Sequence, residues 1–372
     1  MKKIKWEKLL FKTLFFVSAF GISAVAQAVE VKFSGYAKLD AIYDVDQPQG
    51  DLSFANQLAT GDAANSQNAS FRMHARESRL NLTARHEGTK VVIEGDFFGG
   101  GGNELVSNSR PFRLRKFYGD HGNWRMGQDW STFMDFMAFP KSLDFGTNPG
   151  VSFIRQALIR YSVNGFAIAI ENPESRLADA TDTALTATDS VPDLVVKYRK
   201  EGSQFGFYGA ALLRQLEAEV DADGDTESTV SFAIHAGVVL KIPGGARLGG
   251  SVITGSAGRY SQERWSFEDA ILINGDLEAI ESTALELTYK QPVGNGSSFN
   301  AGLGILTIDD EFEEEVAAVG GFDQVSEFFA NYIHKVSEKV EMGIELSYGE
   351  RENFDGTDGD NTRLQFSGKY SF

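Results

Sequence analysis

From residue 29 onward the chain repeats a two-residue rhythm of apolar and polar side chains and never sustains an apolar period of 3.6 residues. In residues 31–44 the odd positions are Val31, Phe33, Gly35, Ala37, Leu39, Ala41 and Tyr43, and the even ones include Lys32, Ser34, Lys38, Asp40 and Asp44. Farther on, Val340, Met342, Ile344, Leu346 and Tyr348 alternate with Glu341, Gly343, Glu345, Ser347 and Gly349. Successive side chains of a strand point to opposite faces, so each segment is a strand with one wet face. Sixteen strands are predicted, near residues 31–44, 76–85, 90–98, 112–119, 123–131, 153–162, 165–171, 194–200, 203–214, 229–241, 245–254, 282–291, 298–308, 325–335, 339–349 and 362–372.

The links between them sort by parity. After even-numbered strands they are brief, as in His86-Glu87-Gly88-Thr89, Val163-Asn164 and Ile242-Pro243-Gly244, whereas most odd-numbered strands are followed by long polar stretches such as 45–75, 132–152, 172–193, 255–281 and 309–324. Short turns at one end and long loops at the other are the layout of a transmembrane antiparallel β-barrel. A sheet in lipid must close, because an open edge would strand backbone N–H and C=O groups without partners. A soluble sandwich or solenoid would also alternate, but gives no reason for loop lengths to follow parity or for the last strand to end on Tyr370 and Phe372. Residues 29–372 form one domain.

Composition narrows the class. The 372 residues include no cysteine, which excludes disulfide scaffolds, Cys-held metals and thiol nucleophiles. A mean hydropathy of -0.23 with no second long apolar run excludes a helical membrane bundle. Residues 1–28 read as a signal peptide: Lys2, Lys3, Lys5 and Lys8 precede an apolar stretch that ends in Ala26-Gln27-Ala28, with cleavage expected near Ala28. Losing five Lys and one Glu takes the net charge from -17 to -21, which argues against nucleic acid as a partner. An exported, acidic, cysteine-free chain fits the envelope of a Gram-negative bacterium, with outer-membrane lipid and lipopolysaccharide as surroundings.

Gly35-Tyr36-Ala37-Lys38-Leu39-Asp40, Glu77-Ser78-Arg79-Leu80, Glu94-Gly95-Asp96-Phe97, Arg113-Leu114-Arg115, Gly127-Gln128-Asp129-Trp130-Ser131-Thr132-Phe133, Leu143-Asp144-Phe145, Ile154-Arg155-Gln156 and Ile159-Arg160-Tyr161 together resemble the DcaP-like outer-membrane porins. The likeness is dense from residue 31 to about 171 and diffuse beyond. It implies a homotrimeric, sixteen-stranded diffusion channel that favours small anions such as dicarboxylates. The coiled-coil segment that precedes the barrel in some of those porins is not expected here, because the first strand begins within three residues of the predicted cleavage site.

In a channel of this kind the function resides in the charges that line the lumen. Residues 72–160 hold ten Arg and three Lys against nine acids, a net of +4 in a chain that is otherwise strongly acidic. Strand alternation puts Arg79 and Arg85 on the wet face with Asn81 and Thr83, Arg113 and Arg115 opposite Phe112 and Leu114, and Arg125 opposite Trp124 and Met126. Lys38 shares the wet face of the first strand. An Arg facing lipid at mid-bilayer would cost about 2–4 kcal/mol, so these side chains are expected to line the lumen as a basic wall that binds anionic solutes. Arg155 and Arg160 differ in parity, so one of them needs a bulge or lies beyond the span. The contrasting possibility is that Glu77, Glu94, Asp96, Asp129 or loop acids neutralise these arginines, which then only hold the wall.

Residues 132–152 carry Phe133, Met134, Phe136, Met137, Phe139 and Phe145. So apolar a loop is expected to fold into the barrel as a constriction, with Asp135, Lys141 and Asp144 as polar contacts, or else to meet another protomer. The acidic runs 309–315, 221–225 and 355–360 fit no calcium loop, and Gly99 to Gly102 lacks the Lys-Ser/Thr of a phosphate cradle. Five His residues show no metal spacing and no nucleophile elbow is present, so neither cofactor nor metal is called for and the chain reads as non-enzymatic. Its expected function is passive diffusion of small hydrophilic solutes. A barrel hydrolase and a plugged structural or adhesive barrel are the competing classes.

Overall fold

The structure, a computed structural model, describes residues 29–100, 110–146, 148–220, 224–309 and 311–372. The signal peptide, Gly101 and Gly102, residues 221–223 and Asp310 lie outside the described residues. Sixteen antiparallel strands close into a barrel. In chain order they are β1 (Glu30–Asp44), β2 (Ser70–His74 and Arg79–His86, one interrupted strand), β3 (Thr89–Asp96), β4 (Arg113–His121), β5 (Trp124–Trp130), β6 (Arg155–Val163), β7 (Phe166–Glu171) and β8 (Asp193–Glu201). There follow β9 (Phe205–Glu219), β10 (Thr226–Lys241), β11 (Arg247–Gly255), β12 (Ser282–Pro292), β13 (Ser298–Ile308), β14 (Gln324–Lys335), β15 (Val340–Glu352) and β16 (Asp358–Ser371). Each strand pairs with its sequence neighbours, and β1 closes on β16 from Tyr36 opposite Ser371 to Asp44 opposite Arg363. Every predicted strand is present.

The burial pattern is that of a soluble protein turned inside out. Leu346 is 51% exposed and Phe366 45%, while their neighbours Glu345 and Gln365 are each 2% exposed. Such outward apolar faces are stable only against lipid. Aromatic rings gather at the short-turn end, where Phe33 meets Phe372 at 5.6 Å, Trp124 meets Tyr161 at 4.9 Å and Phe299 meets Tyr332 at 4.7 Å. The opposite end carries Tyr43, Phe71, Phe232 and Tyr348 on its outer face. These are the two interfacial girdles of a membrane barrel. The tightest hairpin is locally encoded: Asn164 and Gly165 have φ of 49° and 87°, as a type I′ turn requires, and a Cβ at Gly165 would come within 2.4 Å of the Arg199 carbonyl.

One irregularity matters for charge. The ladder between β3 and β4 shifts at Glu94/Gly95, where Glu94 faces Lys116 but Gly95 faces Leu114. The extra residue on β4 lets Arg115 and Lys116 both turn inward, while Phe117 is 51% exposed on the lipid side.

The chain between β5 and β6, residues 131–154, runs across the lumen and is tied to inward-facing groups around the barrel. The Thr132 amide donates to Glu171 at 2.7 Å, Lys197 to the Met134 carbonyl at 2.6 Å and Asn331 to the Lys141 carbonyl at 2.8 Å. Farther along, the amides of Leu143 and Asp144 donate to the two oxygens of Glu345 at 2.7 and 2.9 Å, and Asn148 donates to Glu286 at 3.1 Å. Space for it is cut into the wall: a Cβ on Gly343 would lie 2.8 Å from Leu143.

A second segment does the same, contrary to the reading of 255–281 as a polar surface loop. Residues 256–281 fold into the long-loop half of the barrel, where Tyr260 is fully buried and meets Phe133 edge-on at 5.8 Å. The Gln262 amide donates to the Val151 carbonyl at 2.7 Å. Inward residues Val195, Leu212, Ile253, Leu306 and Val325 of β8–β14 form one apolar core with Phe133, Tyr260, Phe267, Ile271 and Phe322. Apolar burial therefore fills the β8–β14 side of the lumen.

Glu263 clasps this segment to residues 45–69. It is fully buried, sits at φ 72°, and accepts the amides of Ala55 and Asn56 at 3.2 and 2.7 Å. Burial pushes its carboxyl up to about 8, against the two amide donors and the Arg351 charge. A raised carboxyl favours the clasped state below pH 4.5, and the benefit is lost as pH rises through about 8. Proteinase K should therefore cut residues 45–69 faster at pH 9 than at pH 6, and Glu263→Gln should remove most of that difference; an unchanged pH dependence in the variant would dismiss the clasp. For the outer face, Leu287, 57% exposed on β12, is diagnostic. In urea titrations from lipid vesicles, Leu287→Arg is expected to lower stability by about 2–4 kcal/mol and Leu287→Met by about 1 kcal/mol or less. Equal losses would mean that this face is not in lipid.

Candidate functional site

On β2–β6 several inward positions are basic. On β2, β4 and β6, Arg79, Arg113, Arg115, Lys116 and Arg155 gather around two carboxylates of β3. Asp96 accepts Arg113 bidentately at 3.0 and 2.9 Å, and Arg115 bridges Glu94 at 3.0 Å and Asp96 at 2.9 Å. Lys116 reaches Glu94 at 3.5 Å, while Arg79 approaches it only to 3.9 Å. Five cations thus share two anions. Arg79 Nε and Nη2 and Arg155 Nη1 are buried and find no acceptor among the described residues.

These guanidiniums lie on aromatic faces. Arg79 and Arg115 sit 5.4 and 5.0 Å from the Phe145 ring, Arg113 5.4 Å from Phe98, and Arg155 4.8 Å from Trp130. The rings themselves form a chain, with Phe98 on Phe145 at 5.5 Å, Phe145 on Phe153 at 5.5 Å and Phe153 on Trp130 at 4.8 Å. Cation–π contact holds the side chains in place without consuming their N–H donors.

A second group lies toward the short turns, around a cavity of about 640 Å³ lined by Asp120, Arg125, Arg160, Lys197, Arg199 and Glu201 among others. Here charge is nearly balanced. Arg125 pairs with Asp120 at 2.6 Å and also with Asp129, Arg160 with Asp129 at 2.9 Å, and Lys197 and Arg199 with Asp135 at 2.6 and 3.4 Å.

The parity conflict is resolved by position. Arg160 faces inward beside Arg125, its ladder partner, whereas Arg155 is the first residue of β6, opposite Trp130, where the chain has just left the lumen loop. Arg85 is exposed at the short-turn end opposite Glu30, apart from both groups. Lys38 is buried by Asp40 and Glu77 and donates to the Leu143 carbonyl at 2.8 Å, so it anchors the loop. Asp144, ion-paired with Arg363 at 2.5 Å, and Phe133, wedged between His235 and Tyr260, serve the same end. Lys116, Lys197, Arg199 and Trp130 complete the lining and were not anticipated. Lys197 and Arg199 were legible, since they alternate with Val196 and Tyr198; Lys116 was not, because it needs the bulge. Among the described residues no group of three His, Asp or Glu could hold a metal.

Known proteins fit this geometry. The crystal structure of the outer membrane channel DcaP of Acinetobacter baumannii superposes with a TM-score of 0.81 at 20% identity, covering 96% of this chain and 100% of that one. OmpT of Vibrio cholerae, in its in-vitro folded trimer form, gives 0.54 at 12% identity over 93% and 100%. OprB of Pseudomonas putida gives 0.52 at 11% over 92% and 94%. At these identities the likeness speaks for the fold. No curated protein matches the sequence. The family model for the DcaP outer membrane protein matches residues 17–372, and the chain therefore belongs to that family of outer-membrane barrels.

Proposed function

We propose that the protein is a passive outer-membrane diffusion channel for small hydrophilic solutes, that it prefers small anions, dicarboxylates among them, and that it works as a homotrimer. The observation that supports the preference is the cationic surplus of this wall, where Arg79 and Arg155 carry buried donors without an acceptor among the described residues while Arg113 and Arg115 are neutralised by Glu94 and Asp96. Guanidinium donors bind a carboxylate in two parallel hydrogen bonds, and two such groups flanking Arg115 suit an anion charged at both ends. The channel title of the Acinetobacter protein and the trimer form of OmpT support the transport and assembly readings by analogy of fold. Reaction chemistry has no comparable support: one Ser–His contact, Ser297 Oγ to His334 Nδ1 at 3.3 Å, sits beside the outer aromatic girdle.

Planar-bilayer recordings test this. In asymmetric KCl the wild-type reversal potential should report faster passage of chloride than of potassium. Succinate should reduce the chloride current, and Arg79→Gln or Arg155→Gln should raise the half-blocking concentration about tenfold. Cation preference in the wild type, or block that is indifferent to both variants, defeats the anion reading. A silent bilayer with folded protein would instead favour a plugged barrel, which the apolar filling of the β8–β14 side makes a real competitor.

A further inference from the structure

A second cationic site lies beside the loop at the β1–β16 seam, next to the arginine wall. β1 and β16 place Lys38 directly opposite Lys369, both inward. Like charges opposed across a ladder are unfavourable unless compensated. Lys38 is compensated by Asp40 and Glu77, and Lys369 by Glu341 at 2.5 Å. The loop then adds a third ammonium, Lys141, to the same cavity of about 130 Å³, which also receives Ser142 and Ser367. Lys141 Nζ has no hydrogen bond or ion pair among the described residues. Its backbone is nevertheless fixed, because Asn331 holds the Lys141 carbonyl at 2.8 Å. Burial first, and then the charges of Lys290 and Lys369, keep Lys141 below the ordinary lysine range, with Glu341 acting the other way.

We propose that Lys141, Lys369 and the neighbouring Lys290 form a binding site for a small oxyanion, open toward the short turns and bordering the arginine wall at Tyr36, whose ring lies 5.3 Å from Arg79. The lining holds Lys38, Lys141 and Lys369 against Glu77 and Glu341, with Lys290 close by, and this leaves a positive surplus that a bound anion would offset. The cavity holds about four waters at ~30 Å³ each, which is the size of a tetrahedral oxyanion or a short carboxylate. The cationic residues stand near the short turns: Lys369 in the lining is opposite Glu341 at the start of β15, and Lys290, outside the lining but close enough to act on Lys141, is opposite Asn300 at the start of β13. Lysines bind an anion as point charges rather than as a fork, which suits brief residence. As a step on the route through the barrel, the site rests on the channel reading above; as a binding site it does not.

Selenate is the probe, because its selenium is located by anomalous scattering. Crystals of the full chain soaked in selenate should show an anomalous peak beside Lys141 Nζ, and Lys141→Gln should abolish it while Lys141→Arg keeps it. In bilayers, Lys141→Gln should raise the selenate concentration that halves the chloride current about tenfold when selenate is added at the short-turn side, and less when it is added at the loop side. Absence of the peak in wild-type crystals, or block from the short-turn side unaltered by Lys141→Gln, overturns the site while leaving anion conduction intact. A wild-type protein that does not conduct, yet shows the peak, upholds the site and defeats the channel.

Discussion

Backbone groups in lipid can hydrogen-bond only to other backbone groups, and the rest of this molecule follows from that. A strand crossing lipid needs a partner on each side, so the sheet can end only by meeting itself, as β1 does on β16. Closure creates two surfaces of opposite chemistry from one alternation. Outward residues such as Leu287 and Phe366 meet lipid, and every charge in the spanning region is sent to the interior. An interior so crowded with charge would be unstable if dry, and ion pairing alone rarely offsets desolvation. Hydration and pairing together make the lumen tolerable.

The loops then divide the interior unequally. Phe133 of residues 131–154 and Tyr260, Phe267 and Ile271 of residues 256–281 are buried on the β8–β14 side. Carboxylates hold the loops: Glu171 receives the Thr132 amide, Glu345 the Leu143 amide and Glu286 the Asn148 side chain, while Glu263 receives the Asn56 amide. These acids are therefore engaged in holding loops. Around Arg79, Arg113, Arg115 and Arg155 the acids Glu94 and Asp96 hold arginines, and there are too few of them. The chain as a whole is acidic, but this inward patch is basic. Net charge alone would point the wrong way.

How much of this was readable follows from the range of the interactions involved. Alternation and turn residues are local, so every strand was placed, although the turn expected at Val163-Asn164 falls one residue later, at Asn164-Gly165. The wet face of β2, β4 and β5 was likewise local, and Arg79, Arg113, Arg115 and Arg125 all point inward. The bulge that turns Lys116 inward depends on the register against β3, which no window on β4 contains. The burial of 256–281 was missed for a related reason. Its apolar residues, Tyr260, Phe267, Ile271 and Leu277, are separated by charges, and the segment reads as polar until Glu263 receives the Asn56 amide of another loop and Arg264 donates to the Glu268 carbonyl of its own. The contrast between a binding wall and a neutralised wall came out divided, with Arg113 and Arg115 paired and Arg79 and Arg155 carrying free donors.

That division suits a channel better than either extreme. A wall of fully free arginines would repel itself and would hold a dianion too long, since conduction requires sites weak enough to be left. A fully paired wall would offer a solute nothing. Paired Arg113 and Arg115 supply a fixed positive background, stacked on Phe98, Phe145 and Trp130 so that little order is lost when an anion arrives. On the proposed anion route, Arg79 and Arg155 would supply the donors left without an acceptor. Arg125 and Arg160 share Asp120 and Asp129, so attraction would weaken toward the short turns and an anion drawn to the first group would not be trapped by the second.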